Sequence, residues 1–523
     1  MMDVSQAGPI EINEQFQRAL DVMEKTDRHV FITGKAGTGK STLLEYFRSI
    51  TGKKIAVLAP TGVAALNVKG QTVHSFFRFK PDITPDTVKK IVRKKDNLYS
   101  RLDAVIIDEI SMVRADLLDC VDRFLRLNGR HPKKSFGGIQ MVFIGDLYQL
   151  PPVVTSAERE LFKSHYDSPY FFSSQVFQKP EFDLEFIELE KIYRQTESDF
   201  IGLLNAIRNR SVGEADIGRL NERCDPEFVP PEDDFYITLT STNDLAAARN
   251  REKLKILPGR LHSYRGFIEG EFERSALPTE ETLELKAGAQ IMMVNNDSKG
   301  RWVNGTLGKI VDVSEQKNAD DTLLVELQTG EKVEVRPHTW ELFRFGYDKE
   351  SQRIISETVG SFLQYPLRLA WAVTIHKSQG KTFDRVVIDI GRGTFAHGQV
   401  YVALSRCTNF RGIVLKKAIR KSHIWMDYSV VRFLTDVQYK KAGEKLPAEE
   451  RRAAIREAIR RGETLEIVYL KPDDTKSRRT IRPEALEMME YHGRRFEGLR
   501  AFCFKRGDVR HFRLDRILEI AGE

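Results

Sequence analysis

Residues 34–41 read GKAGTGKS, with four residues between Gly34 and Gly39 and with Lys40 and Ser41 directly after Gly39. Glycines let the backbone curl until successive N–H groups point at one anion. A helix beginning at that point adds the positive end of its dipole. In such a loop Lys40 reaches the β- and γ-phosphates of a nucleotide and Ser41 offers its hydroxyl to magnesium. Gly37, Thr38, Gly39 and Thr42 complete the cradle. The plain alternative is a glycine turn without a ligand. Against it, the apolar run HVFITG precedes the loop and the helically spaced STLLEYFRSI follows.

A triphosphate site also needs groups for metal and water. The run AVII ends at Asp108 and Glu109. Asp108 can hold magnesium through water, and Glu109 can orient and deprotonate the attacking water. Both can instead be solvated carboxylates at a strand end. The run MVFIGDLYQLPP places Gln149 just beyond another strand, within reach of the γ-phosphate or the water. A buried glutamine satisfied by backbone is the bland alternative. Hydrolysis needs positive charge at the departing γ-phosphate. Arg194 in KIYRQ and Arg406 in YVALSRCT lie outside the first run of strands, so they complete the site only across a closed cleft. Pairing with surface carboxylates is equally open for both.

The elements that must position these residues are short and β-branched. HVFITG, KIAVLAP, AVIIDE and MVFIG carry few charges, as strands buried on both faces do. Helix-like segments separate them, so residues 29–155 predict an α/β unit with a parallel sheet. FYITLTSTN, RVVIDIG and GIVLK predict a second such unit. Between Gly305 and Gln364, KIVDVSE, TLLVELQTG, EKVEVRP and QRIISETVG alternate like the strands of a small inserted antiparallel β-barrel. LPAEERRAAIREAIRRGE carries helix chemistry, and TLEIVYLKP, RRTIRP, GLRAFCFK and RHFRLDRILEI predict a small β-rich tail. The expected divisions are 1–180 with a short wedge insertion near 69–95, then 181–304 with 366–436, the barrel at 305–365, a helical linker at 437–462 and the tail at 463–523.

The chain has 523 residues, 41% hydrophobic and 30% charged, which fits several soluble globular units. Its longest uncharged stretch, Ile55–Val68, is shorter than the roughly 18 residues of a membrane span. Acids at Asp3, Glu11 and Glu14 without an apolar signal core argue against secretion. The four cysteines are far apart with no CxxC pair, which argues against a disulfide framework or structural zinc and fits a reducing compartment. Net charge is +7, mild for this length. Lys441–Glu523 holds twenty basic and sixteen acidic residues, more than half of that excess. A polyanionic partner is permitted, and so is a plain basic surface.

The motif set as a whole resembles the PIF family of superfamily-one DNA helicases over roughly residues 10–435. INEQFQRAL, GKAGTGKST, APTGVAALNVKGQTVHSFF, IIDEISMV, FGGIQMVFIGDLYQLPP, YRQ, LKAGAQIMMVNND, WVNGTLG, AVTIHKSQGKTFDRV and GQVYVALSRCT stand in that order. The resemblance implies two RecA-like P-loop motor domains, ATP and Mg2+ as cofactors, and translocation 5′ to 3′ on single-stranded DNA. It makes Gln15 an adenine reader, Gln379 and Gly380 neighbours of the nucleotide, Gln149 a γ-phosphate sensor, and Arg194 and Arg406 the two arginine fingers. It turns Thr61, His74, Asn304, Thr374, His376 and Lys377 toward DNA. Phe76 and Phe77 are then candidates to stack on bases or wedge a duplex, with core packing the alternative. The implied partners are single-stranded DNA and 5′-tailed or forked duplex, bound by a monomer in the bacterial cytoplasm, nucleoid-associated and with no membrane.

The tail from about 460 resembles the WYL domain, a small Sm-like β-fold, through RTIRPEAL, LRAFCFKRG and RHFRLDRI. Where that family has its naming Trp-Tyr-Leu, this chain has Glu497, Gly498 and Leu499. Arg482, Arg500, Arg513 and Arg516 fall on alternating strand positions and are expected to share a nucleic-acid-binding face. A charged packing module is the alternative. For the whole chain, the alternative to a helicase is an ATP-switched single-strand-binding regulator that does not unwind.

Overall fold

The computed structural model describes residues 12–91, 97–154, 158, 162–195, 197–232, 234–272, 274–314, 321–348, 350, 353–391, 396–471, 476–491 and 494–522. They fall into two compact units, residues 1–205 with 212–425, and residues 206–211 with 426–523.

The continuous apolar runs become parallel strands because neither face of them meets water. They are β1 (His29–Gly34), β2 (Ile55–Ala59), β3 (Gln71–Thr72), β4 (Ala104–Ile107), β5 (Gln140–Ile144) and β6 (Leu184–Leu189). Their order is β3-β2-β4-β5-β1-β6. Two helices cover one face of this sheet, α1 (Glu14–Lys25) and α2 (Lys40–Ile50). Asn13 caps α1 by accepting the Phe16 N–H at 2.9 Å. Phe16, Ala19, Leu20 and Met23 then recur at helical spacing and bury against Leu43, Leu44 and Phe47 of α2. The sheet runs past the division expected at residue 180. Leu184–Leu189 pairs in parallel with all of β1, so this strand completes the first sheet rather than starting the second.

The second parallel sheet consists of β7 (Ile237–Thr240), β8 (Ala372–Thr374), β9 (Val386–Asp389) and β10 (Ile413–Leu415), in the order β8-β7-β9-β10. Between β7 and β8 the chain builds antiparallel structure, but not one barrel within 305–365. Gln290–Met293, Leu307–Ser314, Thr322–Leu327, Lys332–Val335 and Leu367–Leu369 make a five-stranded sheet that starts earlier and ends later than expected. His338–Asp348 and Arg353–Gln364 form a long hairpin, with Phe267–Gly270 on its outer edge. Among the described residues no pairing closes either sheet on itself. The alternation that suggested a barrel is that of sheets with one buried face, and alternation alone does not specify closure.

Phe76 and Phe77 correct the expectation that they meet DNA. Thr72 caps the helix Val73–Phe77 through the Ser75 N–H at 3.1 Å, and this turns both rings inward. Phe76 is 4% exposed and Phe77 1%. They pack edge to face on each other, Phe76 meets Tyr99 edge to face, Phe77 stacks on Tyr99, and Phe77 also meets Phe124. The Tyr99 hydroxyl donates to the Phe76 carbonyl at 2.7 Å. The tip of the long hairpin joins this cluster, with Phe345 against Phe76 and Tyr347 between the cations of Lys54 and Arg101. The region expected as a wedge, near 69–95, thus holds a core helix and one turn at Pro85–Thr87; residues 92–96 lie outside the described residues.

In the second unit the expected helical linker is two helices, Tyr428–Lys445 and Ala448–Arg461. Gly462, at φ 68°, ends the latter in the left-handed conformation that glycine adopts freely. The tail strands form one antiparallel sheet of Leu465–Leu470, Lys476–Tyr491, Arg494–Cys503, Asp508–Arg513 and Ile517–Gly522. Ile455 and Ala458 of the second helix cover its inner face, on Ile467, Ile481, Leu499 and Phe512. Among the described residues no helix is long and apolar enough to cross a membrane.

Phe77→Ala is expected to cost about 3–5 kcal/mol, the usual cost of emptying a large aromatic from a core. Thermal unfolding of the variant checks it. A midpoint at the wild-type temperature together with weakened DNA binding would return Phe77 to the DNA surface.

Candidate active site

The phosphate loop is set by strand β6. A Cβ on Gly34 would stand 2.7 Å from the Leu189 carbonyl, so only glycine lets β6 run this close. Gly37 and Gly39 take φ 81° and 86°, the left-handed turns that aim the loop N–H groups inward. The Lys40 ammonium donates to the carbonyls of Gly34 at 2.7 Å and Lys35 at 3.0 Å, bracing the loop. The chain beyond β6 folds directly onto it. Tyr193 N donates to the Gly37 carbonyl at 2.8 Å, and a Cβ on Gly37 would meet the Cβ of Arg194 at 2.5 Å. Arg194 therefore lies against the loop.

The two carboxylates stand where β4 ends. Asp108 N donates to the Leu58 carbonyl at 2.9 Å, which extends the β2–β4 ladder by one residue. Glu109 then turns left-handed, at φ 49°. Burial pushes the Glu109 carboxyl up to about 7, and the neighbouring Asp108 adds to the rise. Burial raises Asp108 too, opposed by a backbone N–H and by the Lys40 charge. From the second sheet, Gln379 Nε2 donates to the Glu109 carboxylate at 3.0 Å and to Gln149 Oε1 at 3.1 Å. Gln149 Nε2 in turn reaches Asp146 at 3.2 Å. Gln149 is buried, and both ends of its amide are engaged within this network.

Arg406 is 1% exposed. Its Nε donates to the Val402 carbonyl at 3.0 Å and its two terminal nitrogens to the Lys381 carbonyl at 3.2 Å and the Ser405 hydroxyl at 2.9 Å. Burial, followed by the charge of Arg194, pushes its pKa down to about 9; Tyr401, Glu109 and Asp146 act in the opposite sense. One terminal nitrogen of Arg194 reaches the Gly380 carbonyl at 3.4 Å, while the other is buried without a partner among the described residues. Two guanidiniums thus repel each other beside the phosphate loop, and one retains an unused donor. Such a place calls for an anion with several acceptor oxygens. A nucleoside triphosphate fits it. For magnesium, Ser41 and Asp108 supply one hydroxyl and one carboxylate, the sparse protein set this ion takes beside phosphate oxygens.

Sequence reasoning missed the contacts that join the sheets. The Tyr401 hydroxyl accepts the loop's Ala36 N–H at 3.1 Å. Gln195 Nε2 donates to the carbonyls of Ser405 at 3.1 Å and Cys407 at 3.3 Å. A Cβ on Gly398 would lie 2.4 Å from the Tyr148 carbonyl and 2.6 Å from that of Gln149. A tyrosine, a glutamine and a glycine have no phosphate chemistry to draw attention to them.

The other expected residues gather on turns beyond the parallel strands. Thr61 caps the helix Gly62–Asn67 after β2, accepting the Ala64 N–H at 3.2 Å. Thr374 ends β8, and its hydroxyl accepts the Lys377 N–H at 3.2 Å. Burial lowers the pKa of His376, and burial with the charge of Arg368 lowers that of Lys377. Asn304 Nδ2 donates to Asn67 Oδ1 at 3.0 Å, bringing the two turns together. His74 is the second residue of the helix Val73–Phe77, Gln15 is half-buried in the first turn of α1, and Thr42 lies in the first turn of α2.

In the second unit, strand register places Arg482 opposite Phe502, Arg500 opposite His511 and Arg513 opposite Gly498, all on the outward face. Arg482 lies over the Phe502 ring, Arg500 pairs with Glu484 at 3.4 Å and Arg513 with Asp515 at 2.6 Å. Arg516 departs from the expected face, because it lies in the turn Leu514–Arg516 beyond the strand.

A family model for PIF1-like helicases matches residues 11–216, and one for the WYL domain matches 450–521. The chain is 32% identical over 420 residues to the ATP-dependent DNA helicase Pif1 of Bdellovibrio bacteriovorus, across 78% of this chain and 88% of that one. It is 33% identical over 417 residues to PIF1 of Mus musculus, across 76% of this chain and 59% of the mouse protein. Among solved structures, a Bacteroides Pif1 in complex with ADP-AlF4 matches at 36% identity and a TM-score of 0.74, across 83% of this chain and 98% of that one. The Bacteroides protein bound to single-stranded DNA matches at 37% identity over the same shares, with a TM-score of 0.59. Motif order, the paired parallel sheets and these likenesses converge: the chain belongs to the PIF1-like helicase family of ATP-dependent DNA helicases.

Proposed function

We propose that this chain is a motor that moves 5′ to 3′ along single-stranded DNA and unwinds duplex, driven by magnesium-dependent ATP hydrolysis. One observation carries the reading. Lys40 and Glu109 from the first sheet meet Arg194 and Arg406 at one place, and there Arg194 keeps a buried terminal nitrogen without a hydrogen-bond partner among the described residues.

The chemistry follows from that convergence. The phosphate loop and Lys40 bind the triphosphate. Ser41 and Asp108 would hold magnesium, which when bound would supply charge neutralisation to the triphosphate. Glu109 takes the proton of the attacking water, with Gln379 and Gln149 orienting that water and the carboxylate. Arg194 and Arg406 stabilise the charge that develops on the departing phosphoryl group. While the triphosphate is present, its oxygens neutralise both guanidiniums and hold the sheets together. Once phosphate leaves, the two cations repel and the cleft loosens. Thr61 on one turn and Thr374, His376 and Lys377 on the other then grip the strand alternately. These are small donors suited to backbone phosphates rather than base edges. One chain supplies every group at the nucleotide, so a monomer suffices for hydrolysis.

In the second unit, the face carrying Arg482 and Arg500 beside Phe502 adds a further hold on single strands. The reading rests on cations interleaved with an aromatic ring, the chemistry of sequence-tolerant strand binding. Arg513, held by Asp515 through two hydrogen bonds at 3.0 and 2.6 Å, contributes less than Arg500, whose pairing with Glu484 is looser at 3.4 Å.

Arg194→Ala is expected to lower the rate of hydrolysis about a thousandfold, as loss of an arginine finger does, with nucleotide affinity within about tenfold of wild type. Stopped-flow phosphate release with parallel nucleotide titrations measures both. Wild-type turnover would remove Arg194 from the site.

On paired duplexes with a 5′ or a 3′ overhang, only the 5′-tailed substrate should be unwound. Unwinding of the 3′ form would reverse the polarity. DNA-stimulated hydrolysis with neither unwound would favour an ATP-switched binding regulator.

For the tail, Arg482→Ala with Arg500→Ala should weaken oligothymidine binding and reduce the slope of log affinity against log salt by about 1.4, as loss of two phosphate contacts does. An unchanged slope leaves the tail a packing module.

A further inference from the structure

Residues 379–381 form a single tight turn with four separate attachments. The Gln379 amide holds Glu109 and Gln149, the Gly380 carbonyl takes Arg194, and the Lys381 carbonyl takes Arg406. Gly380 sits at φ 79° with no atom near the position of a Cβ, so backbone conformation alone requires glycine there. The fourth attachment is the Lys381 ammonium, which points away from the nucleotide and donates to Asn304 Oδ1. Asn304 Nδ2 donates onward to Asn67, at the end of the helix after β2. A chain of three side chains therefore runs from the turn that holds both arginines to the turn beyond the first sheet.

The surroundings of Lys381 are electrostatically incomplete. Its partner is a neutral amide, and among the described residues no carboxylate pairs with it. Burial pushes its pKa down to about 7, with Arg368 adding to the fall. Arg368 likewise acts against Lys377. The acid of the cluster, Glu280, is held by Arg368 at 3.2 Å, and its pKa is lowered by that pairing, although its own burial acts the other way. As a residue Lys381 keeps part of its surface exposed. Three cations against one committed carboxylate leave room for an anion, and the neighbouring Asn304, Thr374 and Lys377 are donors of the kind that fit a phosphodiester.

We propose that Lys381 binds a backbone phosphate of the DNA strand and is the residue through which strand engagement reaches Arg406. The inference rests on the single-strand reading given above. When a phosphate arrives, the ammonium turns from the Asn304 amide to a full negative charge. Asn304 is released from its bridge to Asn67, and the turn carrying the Arg406 contact is pinned to the strand. No covalent step is involved. The phosphate stabilises the ammonium, so the pKa of Lys381 is higher in the complex than in the free protein. Affinity is accordingly greatest below about 7 and falls as pH rises from there toward the pKa of the complex. The charged groups facing Lys381 are Arg368 and, beyond it, Lys377 and Glu280.

The test uses the full chain and fluorescent oligothymidine, titrated from pH 6 to pH 9, with wild type, Lys381→Met and Lys381→Arg. Wild type should lose several-fold affinity across this range. Lys381→Arg should stay tight with a weaker pH dependence, because its guanidinium remains charged. Lys381→Met should bind about tenfold more weakly at pH 6, with its salt slope reduced by about 0.7. At saturating DNA, Lys381→Met should also lose most of the stimulation of hydrolysis, and Lys381→Arg should restore it. Failure of wild type to bind the oligonucleotide would sink the motor reading itself. Wild-type binding with Lys381→Met matching it in affinity, salt slope and pH profile would overturn the Lys381 site alone. Weakened binding with full stimulation at saturation would overturn the link to Arg406.

Discussion

Two guanidiniums of like charge, one buried and one half-buried, govern this structure. Arg406 is almost wholly enclosed and its charge is disfavoured by burial and by Arg194, while Arg194 keeps a buried nitrogen without a partner among the described residues. A protein tolerates such an arrangement when a ligand completes it, because an unpaired buried charge costs several kcal/mol. The rest of the site serves to hold the two cations at the phosphate loop. Gly37 admits the Arg194 backbone, Tyr401 ties the Arg406 helix to Ala36, and Gly398 lets that helix approach the Tyr148–Gln149 backbone. Substitution at either glycine would separate the cations from the loop without touching any charged group.

The same reasoning explains why acidic and basic groups coexist there. Glu109 is raised toward neutrality by burial and by Asp108, while Lys40 and Arg406 draw it back. A base whose pKa lies near neutrality retains a proton affinity high enough to matter in general-base catalysis. Gln379 supplies the orientation, and it does so from the second sheet. Glu109 of one lobe is thus held by an amide of the other, and Arg406 also comes from that other lobe, whereas Arg194 stays against the phosphate loop that its own strand β6 borders.

Much of this was legible in the chain because the chemistry is local. The phosphate loop, the acids after AVII and the apolar runs each carry their reading within a dozen residues, and the loop, strands and helices formed where spacing placed them. What failed was long-range. Phe76 and Phe77 read equally well as stacking platforms or as core, and only the ring cluster with Tyr99 and Phe124 decides for the core. The pairing of Leu184–Leu189 with β1 spans more than a hundred residues, so no local signal could assign that strand to the first sheet. The long hairpin, the separate antiparallel sheets and the contacts of Tyr401 belong with these. Each depends on which surfaces meet, and period and composition do not encode that.

The turn at 379–381 draws the two levels together. Three consecutive residues offer one amide, two carbonyls and one ammonium, and these go to Glu109, Arg194, Arg406 and Asn304. A displacement of this turn cannot leave any of the four unchanged, since a tight turn moves as one body. Coupling between a strand and a nucleotide therefore needs no chain of packed side chains here. It needs only that the turn have two positions and that both ligands favour the same one. The left-handed Gly380 is the place where such a shift is absorbed most cheaply, because its backbone is free of Cβ strain on either side of φ zero.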